Sequence, residues 1–378
     1  MRLIFDARYI RTDFHDGISR YSAELARAVF AAAPARGIDV VFLIHDEAQR
    51  ALLPAGARTL LFHAPTSAAE PFAALRLNRY RPDAVFSPMQ TIGSLGRRFG
   101  LILTLHDTIY YRHRTPPRDL PWYVRLGWRL FHLSYLPQRL VLDAADTVAT
   151  VSSTSAAEFA RVHLTSRPVV VVPNAPQRLA SFGVAVEGGA QNLVYMGSFM
   201  PYKNVETLVR AVGLLPGRTL HLLSRVSPAR RAELAEPARL VGGSVASETP
   251  GSDSAGSAGG SVVFHNGVTD AEYAALLADR AVLVTTSLDE GYGLPVAEAL
   301  ALGIPAVVSD LEIFREVAGP GALYVDPHDP TAVADAVRSL DDPARRAEVV
   351  AAGTAHVARF TWERSAGILL DAVASLAR

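Results

Sequence analysis

Short apolar runs bounded by turn residues alternate with amphipathic stretches along the whole chain, and that rhythm leaves few folds open. In the first half the runs are Leu3–Phe5, Val40–Ile44, Leu60–Phe62, Ala84–Phe86, Leu101–Leu105, Thr147–Val151 and Val169–Val172, separated by helical patterns such as 19–32 and 154–161. A small-residue stretch, "SFGVAVEGGAQ" (181–191), reads as an interdomain linker. The rhythm then restarts with Leu193–Tyr195, Leu220–Leu223, Val262–Phe264, Val282–Thr285, Ala306–Val308 and Leu323–Val325. Strand, helix, strand in this order predicts parallel sheets covered on both faces. The expected architecture is α/β, with two doubly wound Rossmann-like domains, 1–182 and 191–360, facing a central cleft at the carboxyl ends of their strands. A capped amphipathic helix over 361–378, with Thr361 as N-cap, is expected to pack back toward the N-terminal domain.

Composition narrows the classes. A chain of 378 residues exceeds what one core usually organises, so two domains are expected. Lys plus Arg and Asp plus Glu both number 37, which argues against a general nucleic-acid binder. There is no cysteine, hence no disulfide and no thiolate metal site. Asp6 interrupts what a secretory signal would continue as an apolar core, and no run of about 18 apolar residues occurs. The reading is a soluble cytoplasmic protein, with peripheral contact at the inner face of the plasma membrane as a further expectation. Residues 242–261, rich in Gly and Ser, read as a mobile surface insertion.

Two stretches carry chemistry in the second half. In "TTSLDEGYGLPVAEALALGIPAVVSD" (285–310) a strand ends, Gly291 and Gly293 allow a tight turn around Tyr292, and Pro295 sits where a first-turn proline is tolerated. The amides near Gly293 and Leu294 would be helix-start donors suited to a diphosphate. Glu290 and Glu298 would bracket that anion position and accept hydroxyl hydrogen bonds from a sugar or ribose. The other stretch, "MGSFMPYKNVETLV" (196–209), holds Lys203, the one lysine of the chain. A compact ammonium can sit among phosphate oxygens as a point charge, where a planar guanidinium fork needs more room.

The wording of both stretches closely resembles glycosyltransferase family 4, retaining mannosyltransferase-like enzymes of the GT-B fold. The resemblance implies that Glu290 contacts the donor sugar, Glu298 the nucleotide ribose and Lys203 the donor diphosphate, with Gly197, Ser198 and Pro201 completing the Lys motif. Where many relatives carry Arg, this chain has Ser198. Arg225, after the strand "LHLL", is either its replacement or an ordinary surface arginine. Val268 is placed at the nucleobase edge, Asp270 and Asn204 are expected as helix N-caps, and the "HD" at His106 and Asp107 is placed at the acceptor and donor-sugar site. Asp107 either orients the imidazole or caps the next turn. Gly17 matches the family's phosphate-approaching loop, with Asp16 where relatives often have a second glycine. Arg20 then serves either an anionic acceptor or a plain helix entry.

Between 97 and 139 eight arginines face two acids, interleaved with Trp122, Tyr123, Trp128, Phe131 and Tyr135. This pattern suits an anionic membrane surface or a lipid-diphosphate acceptor as well as it suits a packed helix. No acidic metal cluster is evident, since Asp341 and Asp342 read as a helix cap, and no glycosidase-type carboxylate pair is seen. The resemblance implies retaining hexosyl transfer, and the expected reaction uses neither a metal nor a cofactor. The donor is a nucleotide sugar, GDP-mannose ahead of UDP-glucose, and the acceptor a saccharide or lipid-linked molecule of polysaccharide or glycolipid biosynthesis. A non-catalytic nucleotide-sugar-binding protein and a GT-B epimerase are the competing readings. A dehydrogenase is disfavoured because no GxGxxG follows the first strand.

Overall fold

The computed structural model describes residues 1–12, 17–116, 121–240, 244–247 and 259–376. The chain divides into two compact units, Met1–Ala175 with Phe360–Arg378, and Pro176–Arg359. The chain crosses between them at Ala175 and Pro176, upstream of the small-residue stretch at 181–191.

Unit 1 is built on a parallel sheet of β1 (Arg2–Asp6), β2 (Asp39–Ile44), β3 (Arg58–Leu61), β4 (Ala84–Ser87), β5 (Gly100–Thr104), β6 (Thr147–Thr150) and β7 (Val169–Val171). Their order is β3-β2-β1-β4-β5-β6-β7, so the winding reverses between β1 and β4. Both faces are covered, and for that reason these strands read as continuous apolar runs: β1 is buried from Leu3 to Asp6 and β4 throughout. The C-terminal helix Trp362–Ser375 belongs to this unit and lies against Gly17–Ala32. Thr361 caps it by accepting from the Arg364 amide, Trp362 meets Tyr21 edge to face at 5.9 Å, and Ser365 Oγ donates to Pro173 O at 2.7 Å.

Unit 2 repeats the plan with β8 (Glu187–Tyr195), β9 (Thr219–Leu222), β10 (Ser244–Ser247), β11 (Ser261–Phe264), β12 (Asp279–Thr285), β13 (Ala306–Ser309) and β14 (Ala322–Val325), in the order β10-β11-β9-β8-β12-β13-β14. The reversal here falls between β8 and β12. Two segments differ from the sequence reading. The glycines at 188 and 189 are part of β8: a Cβ on Gly189 would stand 2.7 Å from Arg280 Cβ, where β12 bulges. The supposed linker is thus a close strand approach that only glycine permits. Within 242–261, residues 244–247 form the edge strand β10, parallel to β11. Backbone pairing supplies that strand without an apolar run. Of the expected insertion, 242–243 and 248–258 lie outside the described residues.

Among the described residues no helix is long and apolar enough to cross a membrane.

Candidate active site

The loops leaving β8 and β12, the strands on either side of the reversal in unit 2, are bound together residue by residue. Ligands of open α/β sheets occupy the crevice at such a point, beyond the carboxyl ends of the strands. After β8 the chain turns at Gly197, whose amide donates to Ser224 Oγ at 3.2 Å, and tightens into the 3₁₀ turn Pro201–Lys203. After β12 it runs through Thr286 to Glu290. The Leu288 amide donates to Tyr202 O at 2.7 Å and Thr286 Oγ1 to Asn204 O at 2.8 Å.

Asn204 is a knot in this arrangement. Its backbone is left-handed, at φ 49°, a conformation Asn tolerates better than most residues. It occupies the N-cap position of Val205–Gly213, but its side chain makes no cap bond. Nδ2 donates instead to Thr286 O at 3.2 Å and Pro327 O at 2.6 Å, and Oδ1 accepts from Thr207 Oγ1 at 3.1 Å. The expected cap role is therefore corrected: the amide joins three loops.

Lys203 Nζ meets Glu290 Oε2 at 2.6 Å, with side-chain exposures of 12% and 17%. The Tyr202 ring centroid lies 5.3 Å from the ammonium. The sequence reading assigned these two residues different parts of one ligand, and the fold also makes them each other's partner. An ammonium has three donors and a carboxylate about four acceptor positions, so the pair retains bonding capacity on both sides. The second oxygen, Oε1, accepts from the Gly291 amide at 3.2 Å.

The turn at 291–293 aims the following helix. Gly293 has φ 90°, and a Cβ there would lie 2.6 Å from Phe314 Cε1. Gly291, Tyr292 and Gly293 are buried, and burial raises the Tyr292 phenol pKa. Helix Leu294–Ala301 starts directly after them with Pro295 in its first turn, as expected. The amides of Gly293 and Leu294 find no acceptor among the described residues. Glu298 is 2% exposed on this helix, so Glu290 and Glu298 stand on either side of the helix start. A small cavity lined by Met196, Thr285, Glu290, Gly293, Pro295 and Phe314 opens here.

The remaining unit 2 candidates lie on neighbouring loops. Ser198 is exposed and its carbonyl accepts from the Tyr195 hydroxyl at 2.7 Å. Arg225 is exposed and its aliphatic stem covers Gly267, which has φ 110°. Val268 is half-buried immediately before the helix Asp270–Ala278. Its cap is Thr269, in a reciprocal capping box with Glu272, whereas Asp270 accepts from Gln177 Nε2 at 2.8 Å. The assignment of Asp270 as N-cap is corrected accordingly.

In unit 1 the residues after β5 and β1 stand near that sheet's own reversal. His106 Nε2 donates to Pro88 O at 2.9 Å, which sets the ring by a carbonyl just beyond β4. Its face is met edge-on by Tyr21 at 5.1 Å. Tyr21 is fully buried, and its hydroxyl has no partner among the described residues, so burial drives its pKa up. Asp107 Oδ1 accepts from the Ile109 amide at 2.9 Å, at the start of the turn Ile109–Arg112. Gly17 begins the helix Gly17–Ala32, and a Cβ on it would meet no atom of the described residues within 4 Å. Arg20 is half-buried one turn on. Asp16 lies outside the described residues.

Sequence reasoning missed a buried ionic cluster at the end of β1. Arg8 is 2% exposed; it donates to both Asp6 oxygens at 2.8 and 2.9 Å, to both Glu70 oxygens at 2.8 Å, and to His63 O at 3.1 Å. Every guanidinium N–H is used. Burial would lower the Arg8 pKa, but Asp6 and Glu70 more than offset it and keep the group charged. Arg8 lines a cavity of about 380 Å³ that also meets Tyr9, Arg11, His45 and Thr66. The spacing of Asp6 and Arg8, two residues apart where β1 ends, was the available sign; Glu70 could not be paired with them from sequence.

The arginine-rich stretch 97–139 also separates. Arg97 is held by Asp146 at 2.6 Å and Arg112 by Glu158 at 3.1 Å, so these belong to internal ion pairs, and Arg118 lies outside the described residues. Among the described residues no three His, Asp or Glu side chains converge in a way that could hold a metal ion.

Comparison with known proteins gives consistent matches. Residues 179–356 match the family model of glycosyl transferases group 1, and residues 16–175 match the glycosyl transferase 4-like domain. The chain is 29% identical over 279 residues to O-antigen chain mannosyltransferase B of Escherichia coli, covering 69% of this chain and 67% of the relative. It is 35% identical over 187 residues to D-inositol 3-phosphate glycosyltransferase of Nocardioides sp., covering 47% of this chain and 40% of that relative. Among solved structures, sucrose-phosphate synthase from Thermosynechococcus elongatus superposes with a TM-score of 0.69 at 19% identity, over 99% of this chain and 98% of that one. Anabaena Alr3699/HepE in complex with UDP and glucose superposes with a TM-score of 0.69 at 16% identity, over 99% and 100%.

Proposed function

The chain belongs to the GT-B glycosyltransferases related to family 4, and from that premise we propose that it moves a hexose, mannose ahead of glucose, from a nucleotide diphosphate sugar to a saccharide or lipid-linked acceptor with retention of configuration and without a metal. The observation that carries the reading is the 2.6 Å contact of Lys203 with Glu290 beside the helix start at Gly293. The named activity of the Escherichia coli relative supports mannose over glucose as the sugar.

A glycosyl donor carries its own leaving group. The bond between the anomeric carbon and the β-phosphate oxygen breaks, and negative charge develops on that oxygen. Lys203 and the amides of Gly293 and Leu294 are fixed donors for this charge, and preorganised donors of that kind usually supply the largest single contribution to catalysis. Arg225, exposed and conformationally unrestricted by any ion pair among the described residues, is available as a further cation in place of an arginine at Ser198. Glu290 takes sugar hydroxyls, and its charge stabilises the cation-like anomeric carbon. Glu298 takes the ribose, and Val268 presents backbone groups to the base. The acceptor hydroxyl attacks from the face the phosphate leaves, and its proton passes to the departing phosphate oxygen. The family resemblance supports sugar and acceptor roles for His106 and Asp107, an anionic-acceptor role for Arg20 and a donor-phosphate role for Gly17.

The test is a thermal-shift panel of nucleotide sugars, followed by NMR assignment of the anomeric centre in the product. A shift with GDP-mannose larger than with UDP-glucose, and an axial linkage from the axial donor, are expected. Absence of stabilisation by every nucleotide sugar rejects the reading, and an inverted product rejects its stereochemistry.

A further inference from the structure

The helix Trp122–Phe131 has no buried residue, yet it is held firmly by one side. Trp128 meets Tyr110 edge-on at 5.2 Å and lies against His132 at 4.1 Å, while Tyr135 lies 4.2 Å from Tyr111. These rings fasten the helix and the turn after it to Ile109–Arg112, the turn that directly follows His106 and Asp107. The opposite side is apolar and open to solvent: Trp122 is 76% exposed, Leu126 51% and Leu130 59%, with Tyr123, Leu133 and Leu140 continuing the patch. Positions 122, 126 and 130 fall at helical spacing on a single stripe.

Along the helix and the segment that follows it the side-chain charge is of one sign. From 121 to 142 there is no Asp or Glu, but Arg125, Arg129 and Arg139 are present. Several exposed arginines on other helices sit beside acids, as Arg27 with Glu24, Arg161 with Glu158 and Arg345 with Glu348. Arg125 and Arg129 have no carboxylate partner among the described residues, and Arg139 donates to a carbonyl, Val162 O, at 3.3 Å. His132 adds no charge at neutral pH, because burial lowers its pKa.

We propose that this face of unit 1 docks on a bilayer containing anionic lipid, with Trp122, Leu126 and Leu130 at the acyl boundary and Arg125 and Arg129 at the level of the phosphates. An exposed apolar stripe flanked by unpaired arginines has the two attractions such a surface offers, acyl burial and anionic headgroups. A second copy of the chain fits less well, since a two-fold contact over this patch would bring arginines together with no acid in the segment to receive them. The inference stands apart from the donor and acceptor assignments, since it is read by binding alone. It refines the broader basic stretch by excluding Arg97 and Arg112, which are committed to Asp146 and Glu158.

The test is cosedimentation of the full chain with vesicles of phosphatidylcholine alone and of phosphatidylcholine mixed with phosphatidylglycerol, at low and high salt. Binding to the anionic vesicles, weakened by salt, is expected. The variant W122S/L126S/L130S and the separate variant R125E/R129E should each bind at least about tenfold more weakly, with circular dichroism and thermal melting unchanged because these side chains carry little packing. Trp122→Phe should abolish most of the fluorescence quenching by brominated lipid, since Trp362 is buried and Trp128 is packed against Tyr110 and His132 on the other side of the helix. Wild-type protein that stays in the supernatant with anionic vesicles, or variants that bind as well as wild type, would overturn the proposal. So would a dimer in solution that the Ser variant dissolves while vesicle binding persists.

Discussion

Lys203 Nζ and Glu290 Oε2 lie 2.6 Å apart although 87 positions separate them in the chain, and each ends a loop from one of the two strands at which the sheet of unit 2 reverses. The single ammonium is thereby positioned by a carboxylate assigned to the sugar. Lys203→Ala should lower turnover by about 100-fold or more, the effect of losing one preorganised donor. Glu290→Ala should impair transfer more than binding of the free nucleotide. Because the groups touch, the double variant should lose less than the product of the single losses. Steady-state kinetics and nucleotide titration of the three variants check this; near-normal turnover of Lys203→Ala removes the residue from the mechanism.

Asn204 offers a test of how the loops are held. Asn204→Asp keeps a side chain tolerant of left-handed backbone but replaces the donor toward Thr286 O and Pro327 O with an oxygen. A loss of about 1–3 kcal/mol in urea unfolding is expected, the cost of leaving these part-buried carbonyls unpaired. Unchanged stability would show that the two bonds do not hold the loops.

Gly293→Ala combines a strained backbone with a clash. At φ 90° a side chain is disfavoured, and the Cβ would stand 2.6 Å from Phe314, which is fully buried. A destabilisation of about 1–3 kcal/mol and weaker nucleotide-sugar binding are expected together. Calorimetric titration with the donor decides: full affinity in the variant would detach the turn from the donor site.

His221 makes stability depend on pH. Burial, then the neighbouring His265, lower its pKa to about 4. Its Nδ1 lies 2.9 Å from His265 Nε2 and its Nε2 lies 3.2 Å from Asn192 Oδ1, an arrangement suited to a neutral ring that accepts from one and donates to the other. The unfolded chain takes up this proton near pH 6.5, so the stabilisation is complete above that pH and is lost as pH falls toward 4. The loss is roughly 2 to 3 kcal/mol. Denaturation midpoints of wild type and His221→Gln between pH 7.5 and 4.5 should converge as pH falls; parallel curves would assign the acid sensitivity to other groups.

The strands were legible because burial on both faces leaves continuous apolar runs, and each expected run overlaps an observed strand. β10 escaped because an edge strand can be held by backbone pairing alone, and the start of β8 escaped because Gly188 and Gly189 look the same in a linker as in a close strand contact. Caps were legible where the local pattern was complete, as at Thr361, and misplaced by one residue where Thr269 and Asp270 compete.

By itself the sequence determined the alternation that yields two doubly wound sheets, the spacing that puts Glu290 and Glu298 on either side of a helix start, and the lone ammonium at Lys203. These follow from backbone preference and periodicity, which act over a few residues. Only the tertiary structure decided that Lys203 meets Glu290, that Asn204 ties loops together instead of capping, that Arg8 is saturated by Asp6 and Glu70, and that Arg97 and Arg112 are spent on acids whereas Arg125 and Arg129 meet none among the described residues. Those outcomes depend on strand order and on which loops emerge side by side. Contacts between residues tens of positions apart are set by how the sheets are wound, and no local pattern carries that information.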